Sequence, residues 1–245
     1  MSSDLTVHLI SGANRGIGEP AGDFQRPDSV FAGARSPATA ADLHALAANH
    51  PDRVHVVELR SCDREGNARA VEQIRQKVGK LDVVIANAAI SNDVAPLINV
   101  GPESMLEHFD INVVGPLVLF QTAYPLMSMS PTKEFVVVGA KAGSLITGPE
   151  YGEHLGPYAV TKAAVHYLAK KLQFEHEDFV IFPICPGRVS TSMYCAAQER
   201  DAELAKVPGE TPESSVAGMM PVIDGATREN AGGKFMDVSG VVNAW

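Results

Sequence analysis

A tyrosine and a lysine with helical spacing are the residues of this sequence best suited to proton transfer. Tyr158 and Lys162 lie in the segment PYAVTKAAVHYLAKKLQFE (157–175), an amphipathic helix candidate. Side chains four residues apart share one face of a helix, so the phenol and the ammonium group would be adjacent. A neighbouring positive charge favours the phenolate and lowers the pKa of a tyrosine, which is otherwise about 10. The pair therefore predicts a general acid or base that exchanges a proton with a substrate oxygen.

A glycine-rich turn near the start of the sequence predicts a different task, the binding of a dinucleotide. Gly12, Gly16 and Gly18 follow the apolar run LTVHLIS (5–11) and precede a helix candidate. Gly12 permits a sharp turn, Gly16 lets the backbone approach a pyrophosphate, and the start of the helix offers unpaired N–H groups. The spacing is wider than GxGxxG, and the turn alone would equally suit a strand-to-helix connection without a ligand.

Two arginines beside this turn favour NADPH over NADH. Arg15 precedes Gly16, and Arg35 follows the second apolar run, SVFAGA (29–34), where an acidic residue would bind the 2′-hydroxyl of NAD. Two guanidinium groups at that place can pair bidentately with the 2′-phosphate of NADP(H). Solvated surface arginines are the alternative interpretation.

Short apolar runs alternate with longer helical segments along the chain. Most of the runs are continuously apolar, which is typical of parallel strands covered by helices on both faces. The predicted fold is therefore α/β, a single-domain Rossmann-like doubly wound parallel sheet over residues 1–245. Residues 1–90 would be mainly the cofactor-binding half, and residues 91–245 the catalytic and substrate-binding half. The predicted strands cover 5–11, 29–34, 53–59, 81–88, 134–140, 179–185 and 234–240, and the predicted helices 37–50, 64–79, 103–127 and 157–175.

Two segments depart from this regular alternation. The helix after the phosphate turn, from Gly16 to about Gln25, contains Pro20 and Gly22, so we expect it to be shortened or frayed. Residues 192–220 interrupt the alternation before the last strand and predict a flap followed by a helix. Thr211 and the proline after it would cap that helix.

Five motifs occur in the order and approximate spacing of the short-chain dehydrogenase/reductase family: GANRGIG (12–18), ANAA (86–89), INVVGP (111–116), YAVTK (158–162) and PGRVST (186–191). The sequence resembles this family over nearly its whole length, and in particular its fungal ketoreductases of secondary metabolism, the norsolorinic acid reductase type. The resemblance implies carbonyl reduction with Tyr158 as proton donor and Lys162 as its partner. The residues expected to bind NADP(H) are Gly12, Asn14, Arg15, Gly16, Ile17, Gly18, Arg35, Asp63, Asn87, Ala88, Tyr158, Lys162, Pro186, Gly187, Val189 and Thr191.

The resemblance also implies individual roles. The segment of Asn87 would pack on the adenosine side of the cofactor, and Asn112 would bind a water beside Lys162 as the third member of a proton relay. Pro186 and Gly187 would pack on the nicotinamide, and Thr191 would hydrogen-bond its carboxamide or the pyrophosphate. Because Arg60 stands where the family commonly has an adenine-binding aspartate, Asp63 is the candidate to replace that contact.

One catalytic residue of the family pattern is missing. Its serine stands three residues before a glycine, a position that is Ala140 in the segment VVVGAKAGS. Ser144, directly after Gly143, is the candidate replacement; otherwise an oxyanion donor is lost, which costs about two orders of magnitude in turnover. Lys141, Tyr151 and His154 are near enough in sequence to contact substrate, although exposed loop residues are the simpler interpretation.

The composition excludes several classes of protein. The net charge is −9 and no block of Lys or Arg exceeds a pair, which argues against a nucleic-acid partner. No stretch reaches the roughly 18 apolar residues that span a bilayer, and no basic segment precedes an apolar one at the start. We therefore expect a cytoplasmic protein. Cys62, Cys185 and Cys195 lack metal-ligand spacing, so free thiols and no metal site are predicted.

Three functions remain open. The first is NADPH-dependent reduction of a carbonyl or imine, or the reverse oxidation, on a bulky apolar and polycyclic metabolite; Met193, Tyr194, Met219 and Met220 would suit such a substrate. The second keeps the cofactor site in a cyclase or isomerase, as in fungal relatives of the malbrancheamide and paraherquamide type, because an iminium needs no oxyanion serine. The third is a degenerate paralogue that only binds NADPH. The resemblance further implies a homodimer or homotetramer built on helices 103–127 and 157–175.

Overall fold

The strands form one parallel sheet in the computed structural model, which describes residues 5–18, 28–150 and 154–245. Their order across the sheet is β3-β2-β1-β4-β5-β6-β7, and every neighbouring pair is parallel. The chain order reverses between β1 and β4, which creates the switch point where such sheets bind ligands. The strands are β1 (Val7–Ser11), β2 (Ser29–Ala34), β3 (Val54–Glu58), β4 (Val83–Ala86), β5 (Glu134–Val138), β6 (Val180–Cys185) and β7 (Met236–Asp237).

Helices cover both faces of this sheet. They are α1 (Ala41–Asn49), α2 (Arg64–Val78), α3 (Pro102–Phe109), α4 (Gly115–Met127), α5 (Gly156–Glu175), α6 (Ser192–Gln198), α7 (Ala202–Ala205) and α8 (Pro212–Asp224). A π turn (Asp110–Val114) joins α3 to α4. Short 3-10 segments include Gly16–Gly18 after β1 and Lys141–Gly143 after β5.

The apolar runs of the strands fill two separate cores, because successive side chains of a strand point to opposite faces. Leu9 and Val137 belong to the core that packs against α2, α4 and α5. Ile10 and Val136, their chain neighbours, belong to the core under α1 and α8. The prediction of an α/β, doubly wound parallel sheet is therefore confirmed.

Two predicted elements differ from the observed ones, and a third lies mostly outside the described residues. The predicted strand 234–240 contains only two strand residues, because the Asp237 side chain accepts hydrogen bonds from Ser239 N and Val241 N and starts a turn. The predicted helix 103–127 is interrupted by the π turn. The helix expected up to Gln25, with Pro20 and Gly22, lies outside the described residues beyond Gly18.

Candidate active site

A cleft of about 370 Å³ opens at the carboxyl edge of the sheet, at the switch point between β1 and β4. The glycine turn, the residues after β2, β3 and β4, and the π turn with the start of α4 contribute to its lining. Thr191 and Ser192 close it from the other side. Of the residues expected to bind NADP(H), it brings together Gly12, Asn14, Arg15, Gly16, Ile17, Arg35, Asn87, Ala88 and Thr191.

The glycine turn is held in a conformation that only glycine adopts easily. Gly12 and Gly16 have φ values of 65° and 60°. A Cβ atom on Gly12 would lie 3.0 Å from Ala88 Cα, and one on Gly16 would lie 3.1 Å from Thr191 Cγ2. Backbone therefore lines the floor of the cleft, and a phosphate can approach its N–H groups closely.

Asn87 ties the end of β4 to this turn. Its Nδ2 atom donates hydrogen bonds to Ser11 O at 3.0 Å and to Gly12 O at 3.1 Å, while its backbone N donates to Ser11 Oγ at 3.0 Å. The asparagine thus fixes the shape of the phosphate turn itself. Asn87 and the glycine turn are far apart in the sequence, and no sequence pattern indicates that they are in contact.

Gly18 is the tightest point of the turn, and we predict that Gly18→Ala disrupts it. The added Cβ would contact Gly12 O and would lie 2.8 Å from both Ala13 Cα and Asn87 Nδ2. We expect a loss of about 3 kcal/mol in the free energy of unfolding, together with weaker nucleotide binding. Chemical denaturation and a fluorescence titration measure the two effects.

Gly79→Ala is the matched control for this substitution. Gly79 ends α2 with φ 77°, and a Cβ atom added to it would have no neighbouring atom within 4 Å among the described residues. Only a backbone penalty of about 1 kcal/mol is therefore expected. Equal losses of stability in the two variants would contradict the tight packing argued for Gly18.

Arg15 and Arg35 are both exposed on the rim of the cleft. Neither forms an ion pair with another described residue, whereas Arg60, on the same rim, pairs with Glu58 at 2.7 Å. The glycine cradle, the volume of the cleft and two available guanidinium groups fit a dinucleotide with an extra phosphate.

Asp63 is placed differently from the expectation. Its carboxylate caps α2 by accepting a hydrogen bond from Gly66 N at 2.8 Å, and it does not line the cleft. An aspartate directly before a helix is well suited to this capping role. Ser61 and Asn67 line the cleft in this region instead.

Asn112 lies in the π turn and is buried. Its Nδ2 donates to Ile90 O at 2.9 Å and to Thr161 Oγ1 at 3.0 Å, and its Oδ1 accepts from Ile90 N at 2.8 Å. Both amide hydrogens are thus used within the protein. The side chain joins the segment after β4 to α5, and it has no donor left for the water that the resemblance implies.

Tyr158 and Lys162 lie on α5 beside the carboxyl ends of β5 and β6. The Lys162 Nζ atom is 5.4 Å from the centroid of the Tyr158 ring and donates a hydrogen bond to Val138 O at 2.6 Å. Lys162 is buried, and burial lowers its pKa to about 8, opposed by the Cys185 thiol. Burial likewise raises the pKa of Tyr158, and Cys185 adds to that rise.

In this structure burial therefore opposes the lowering of the Tyr158 pKa that a neighbouring ammonium group was expected to cause. The lowering beside an oxidised cofactor, whose positive charge adds to that of Lys162, stays a prediction. Removal of the phenol from water disfavours the phenolate and is the largest cause of the raised pKa. Tyr158 is protonated at neutral pH, which is the form that a proton donor requires.

The loop after β5 contains Ala140 and Ser144, the two positions considered for the catalytic serine. Ala140 N donates to His166 Nε2 at 3.3 Å, and burial lowers the pKa of His166 to about 3. Ser144 is buried, and its Oγ accepts hydrogen bonds from Ile146 N at 3.3 Å and Thr147 N at 3.1 Å. Both lone pairs serve the turn, and the hydroxyl proton makes no hydrogen bond to another described residue.

Gly143 sets the distance between this loop and α5, which is called the catalytic helix below because it carries Tyr158 and Lys162. A Cβ atom there would lie 2.6 Å from the carbonyl carbon of Lys162 and 2.7 Å from Ala163 N. The loop of Ser144 therefore packs against the backbone of Lys162 itself.

The residues of the PGRVST motif follow β6. Pro186 is buried and its carbonyl accepts a hydrogen bond from Ser215 Oγ at 2.7 Å, while Gly187 is exposed with φ 82°. Val189 is buried, and Thr191 caps α6 by accepting from Tyr194 N at 3.2 Å. Pro186, Gly187 and Val189 do not line the cleft described above.

The predicted flap (192–220) divides into two parts. Residues 190–210, called the cap segment below, carry α6 and α7. Helix α8 belongs to the core and is capped by Thr211 as expected. Met219 is buried there and is not free to contact substrate, whereas Met220 packs against the same core and is half-buried. The Tyr194 hydroxyl donates to Val207 O at 2.9 Å within the cap segment.

Two absences can be stated for residues 5–18, 28–150 and 154–245. No group of three or more His, Cys, Asp or Glu side chains is placed to hold a metal ion. Nor does this part of the chain contain a helix with the length and apolarity that crossing a membrane requires. Tyr151 lies outside the described residues.

A Rossmann-like oxidoreductase with a site for a nicotinamide dinucleotide is the class of protein that this cleft defines. The family model for short chain dehydrogenases matches residues 6–202. Because that match covers most of the chain, the protein belongs to the short-chain dehydrogenase/reductase family.

Relatives and solved structures of similar extent agree with this assignment. Norsolorinic acid ketoreductase of Aspergillus parasiticus is 34% identical over 94% of this chain and 88% of the relative. The same enzyme of Dothistroma septosporum is 35% identical over 96% and 90%. The NADPH-bound carbonyl reductase from chicken fatty liver has a TM-score of 0.85 at 25% identity and covers 98% of this chain and 94% of that one. The carbonyl reductase Sniffer of D. melanogaster, with a TM-score of 0.85 at 22% identity, shows the fold alone.

Proposed function

We propose that the protein is an NADP(H)-dependent ketoreductase that reduces a carbonyl, or an imine, of a bulky apolar and polycyclic metabolite. The observation that carries the proposal is the Tyr158–Lys162 pair beside the carboxyl ends of β5 and β6, on the same sheet edge as the glycine turn. The relatives named as norsolorinic acid ketoreductases support a polycyclic substrate.

The proposed chemistry divides between the cofactor and the side chains. A reduced nicotinamide, when bound, supplies the hydride. Tyr158, protonated because burial raises its pKa, gives its proton to the substrate oxygen. Lys162 holds the tyrosine and the cofactor ribose, and to do so its Nζ atom exchanges the bond to Val138 O for new partners.

The cofactor-binding roles remain proposals of the same kind. Arg15 and Arg35 are proposed to bind the 2′-phosphate, and the backbone of the glycine turn the pyrophosphate. Thr191, whose methyl group faces Gly16, is proposed to contact the pyrophosphate from the opposite wall. Asn112 is proposed to act by positioning Ile90 and Thr161, because its amide hydrogens are already bonded.

We predict that Ser144→Ala lowers kcat by about two orders of magnitude, because the hydroxyl proton is the donor that replaces the missing serine. Restoring a hydroxyl with Ala140→Ser in the Ser144→Ala background should recover part of the loss. Steady-state kinetics measure both. Thermal unfolding serves as the control, since the loss of two turn contacts at Ser144 also costs stability. An unchanged kcat in Ser144→Ala would remove this residue from the proposed mechanism.

Exposed aliphatic side chains near the start of the catalytic helix support an apolar substrate. Ile98 is 91% exposed and Leu97 packs against Gly156, two residues before Tyr158. Leu145 and Ile146, directly after Ser144, are 78% and 70% exposed. Large apolar surfaces on a folded protein mark places where another apolar surface binds.

The proposal is tested by incubating the purified protein with NADPH and a panel of polycyclic ketones and imines while following absorbance of the reduced nicotinamide. We expect consumption of NADPH with a matching yield of alcohol or amine. The absence of a hydroxyl at Ala140 favours the cyclase or isomerase alternative, which would convert substrate without consuming NADPH. Failure to bind NADPH in a fluorescence titration would refute both.

A homodimer or homotetramer remains part of the proposal. Tyr167 and Phe174 on α5 are 70% and 76% exposed, and Leu106 on α3 is 64% exposed. These apolar faces support association through the two helices that the resemblance indicates. A cytoplasmic location stays a prediction.

A further inference from the structure

The cap segment (190–210) is closed on itself at its base. Ser190 N donates to Glu210 O and Glu210 N donates to Arg188 O, both at 2.8 Å. Ser190 Oγ adds a bond to Gly209 O at 3.0 Å. The residues between these hydrogen bonds therefore form one loop that is closed at its base. The position of the loop relative to the sheet depends on the contacts made by the residues farthest from that base.

The cap segment contacts three different segments of the protein, of which the phosphate turn lines the cleft. Thr191 lies against Gly16 of the phosphate turn. Arg200 Nη1 donates to Asn92 O at 2.8 Å, in the segment after β4. Asp201 Oδ2 lies 3.3 Å from Nδ1 of His154, four residues before Tyr158 on the approach to α5. The loop thus extends from the phosphate turn to the start of the catalytic helix.

The carboxylate of Asp201 depends on His154. The residue is 3% exposed. Its Oδ1 atom accepts hydrogen bonds from Glu203 N at 2.8 Å and Leu204 N at 3.2 Å, which cap α7. Its Oδ2 atom has no hydrogen-bond partner among the described residues, so the imidazole of His154 is the group that compensates for its burial. A buried carboxylate oxygen without such a group is costly.

We infer that the contact between His154 and Asp201 is the latch of the cap segment, and that its opening moves Thr191 and Ser192 away from the cleft when a dinucleotide enters or leaves. The role in nucleotide exchange rests on the proposed function. Both residues are positioning residues, because they fix the far end of the cap segment and touch no reacting atom. Arg200 adds a second, exposed contact to the same end of the loop.

Amide hydrogen exchange of the nucleotide-free protein tests the latch. Asp201→Asn keeps the helix cap, because asparagine caps helices as well as aspartate, but it removes the charge. We expect exchange of the α6 and α7 amides to accelerate by about five- to tenfold, since the opening equilibrium loses the contact between the carboxylate and the imidazole. His154→Gln should accelerate amide exchange to the same extent, because it removes the partner of Asp201 while the cap segment itself keeps its sequence.

The matched control is Glu203→Gln, which removes the same charge from an exposed side chain of α7 that pairs with Lys206. Exchange in this variant should equal that of the wild type. Exchange in Asp201→Asn that equals exchange in Glu203→Gln would overturn the latch. Amide exchange in the double variant, Asp201→Asn with His154→Gln, should be no faster than in either single variant. If the accelerations of the two single variants multiply in the double variant, the latch is also overturned.

Dissociation of NADPH, followed by stopped-flow fluorescence, tests the role in exchange. We expect the dissociation rate to rise by about the same five- to tenfold in Asp201→Asn and His154→Gln. Faster amide exchange with an unchanged dissociation rate would overturn that role. If the wild type binds no NADPH, the proposed function fails, while the amide exchange still decides whether the latch exists.

Discussion

Tyr158→Phe is expected to lower kcat by about two to four orders of magnitude, the usual contribution of a general acid. Burial raises the pKa of Tyr158, so the wild-type residue carries its proton at neutral pH and can give it to the substrate oxygen. Phenylalanine keeps the ring and its packing but has no proton to give. Steady-state kinetics with NADPH and a responsive ketone measure the loss.

Nucleotide affinity should change far less than kcat in Tyr158→Phe, because the glycine turn and the arginines line the cleft and Tyr158 is not part of that lining. Tyr167→Phe is the matched control, since Tyr167 is on the same helix and 70% exposed. Its kcat should equal that of the wild type. Residual activity of Tyr158→Phe within a few-fold of the control would exclude the tyrosine as proton donor and favour the cyclase or isomerase alternative.

Arg35→Asp is expected to raise the KM for NADPH by about a hundredfold and to lower the KM for NADH. The guanidinium group is exposed on the rim of the cleft and has no ion-pair partner among the described residues, so it is available to a phosphate. Its removal loses a charge-assisted contact of about 1.5 to 3 kcal/mol, and the new carboxylate repels the 2′-phosphate while accepting from a 2′-hydroxyl.

The ratio of kcat/KM for the two nucleotides is the measurement for this substitution. Arg69→Asp, an equal change of charge at an exposed position of α2, serves as the control and should leave the ratio unchanged. An unaltered ratio in Arg35→Asp would mean that Arg35 is a solvated surface residue. Arg15→Ala in the Arg35→Asp background should then show whether Arg15 alone binds the phosphate.

The sheet and the phosphate turn could be predicted because their signals are local. Continuous apolar runs such as SVFAGA (29–34) and EFVVVGA (134–140) indicated buried parallel strands, and both are buried in the sheet. Gly12 indicated a sharp turn and Gly16 a close approach of the backbone, and both residues have positive φ in the structure. In each case a few consecutive residues contain the information.

The contacts that could not be predicted join residues far apart in the sequence. Asp63 is a local exception: it was expected to replace the adenine contact because Arg60 stands at the usual position, but its carboxylate caps the helix that follows. No sequence pattern predicts that the Asn112 side chain hydrogen-bonds to Ile90 and Thr161. Nor does any pattern predict that the Asp201 carboxylate contacts the His154 imidazole. The π turn was missed because its residues are as apolar as those of an ordinary helix.

The methionines of the predicted flap show a related limit. Apolar residues in a segment without a clear strand or helix pattern suit a substrate pocket and a core equally well. Met219 belongs to the core because α8 packs on the sheet, which only the tertiary structure reveals. Leu97 and Ile98, which the sequence did not single out, are the residues that remain exposed near the start of the catalytic helix.

The close packing of Gly143 against Lys162 has a consequence for how this protein can diverge. A glycine that touches backbone atoms fixes the catalytic helix through groups that every amino acid shares. Side chains near this contact can therefore be substituted during evolution without moving Tyr158, the proposed proton donor. Exposed positions such as Ile98 and Leu145 are free to adapt to new compounds, while a residue larger than glycine at 143 would displace the lysine at once.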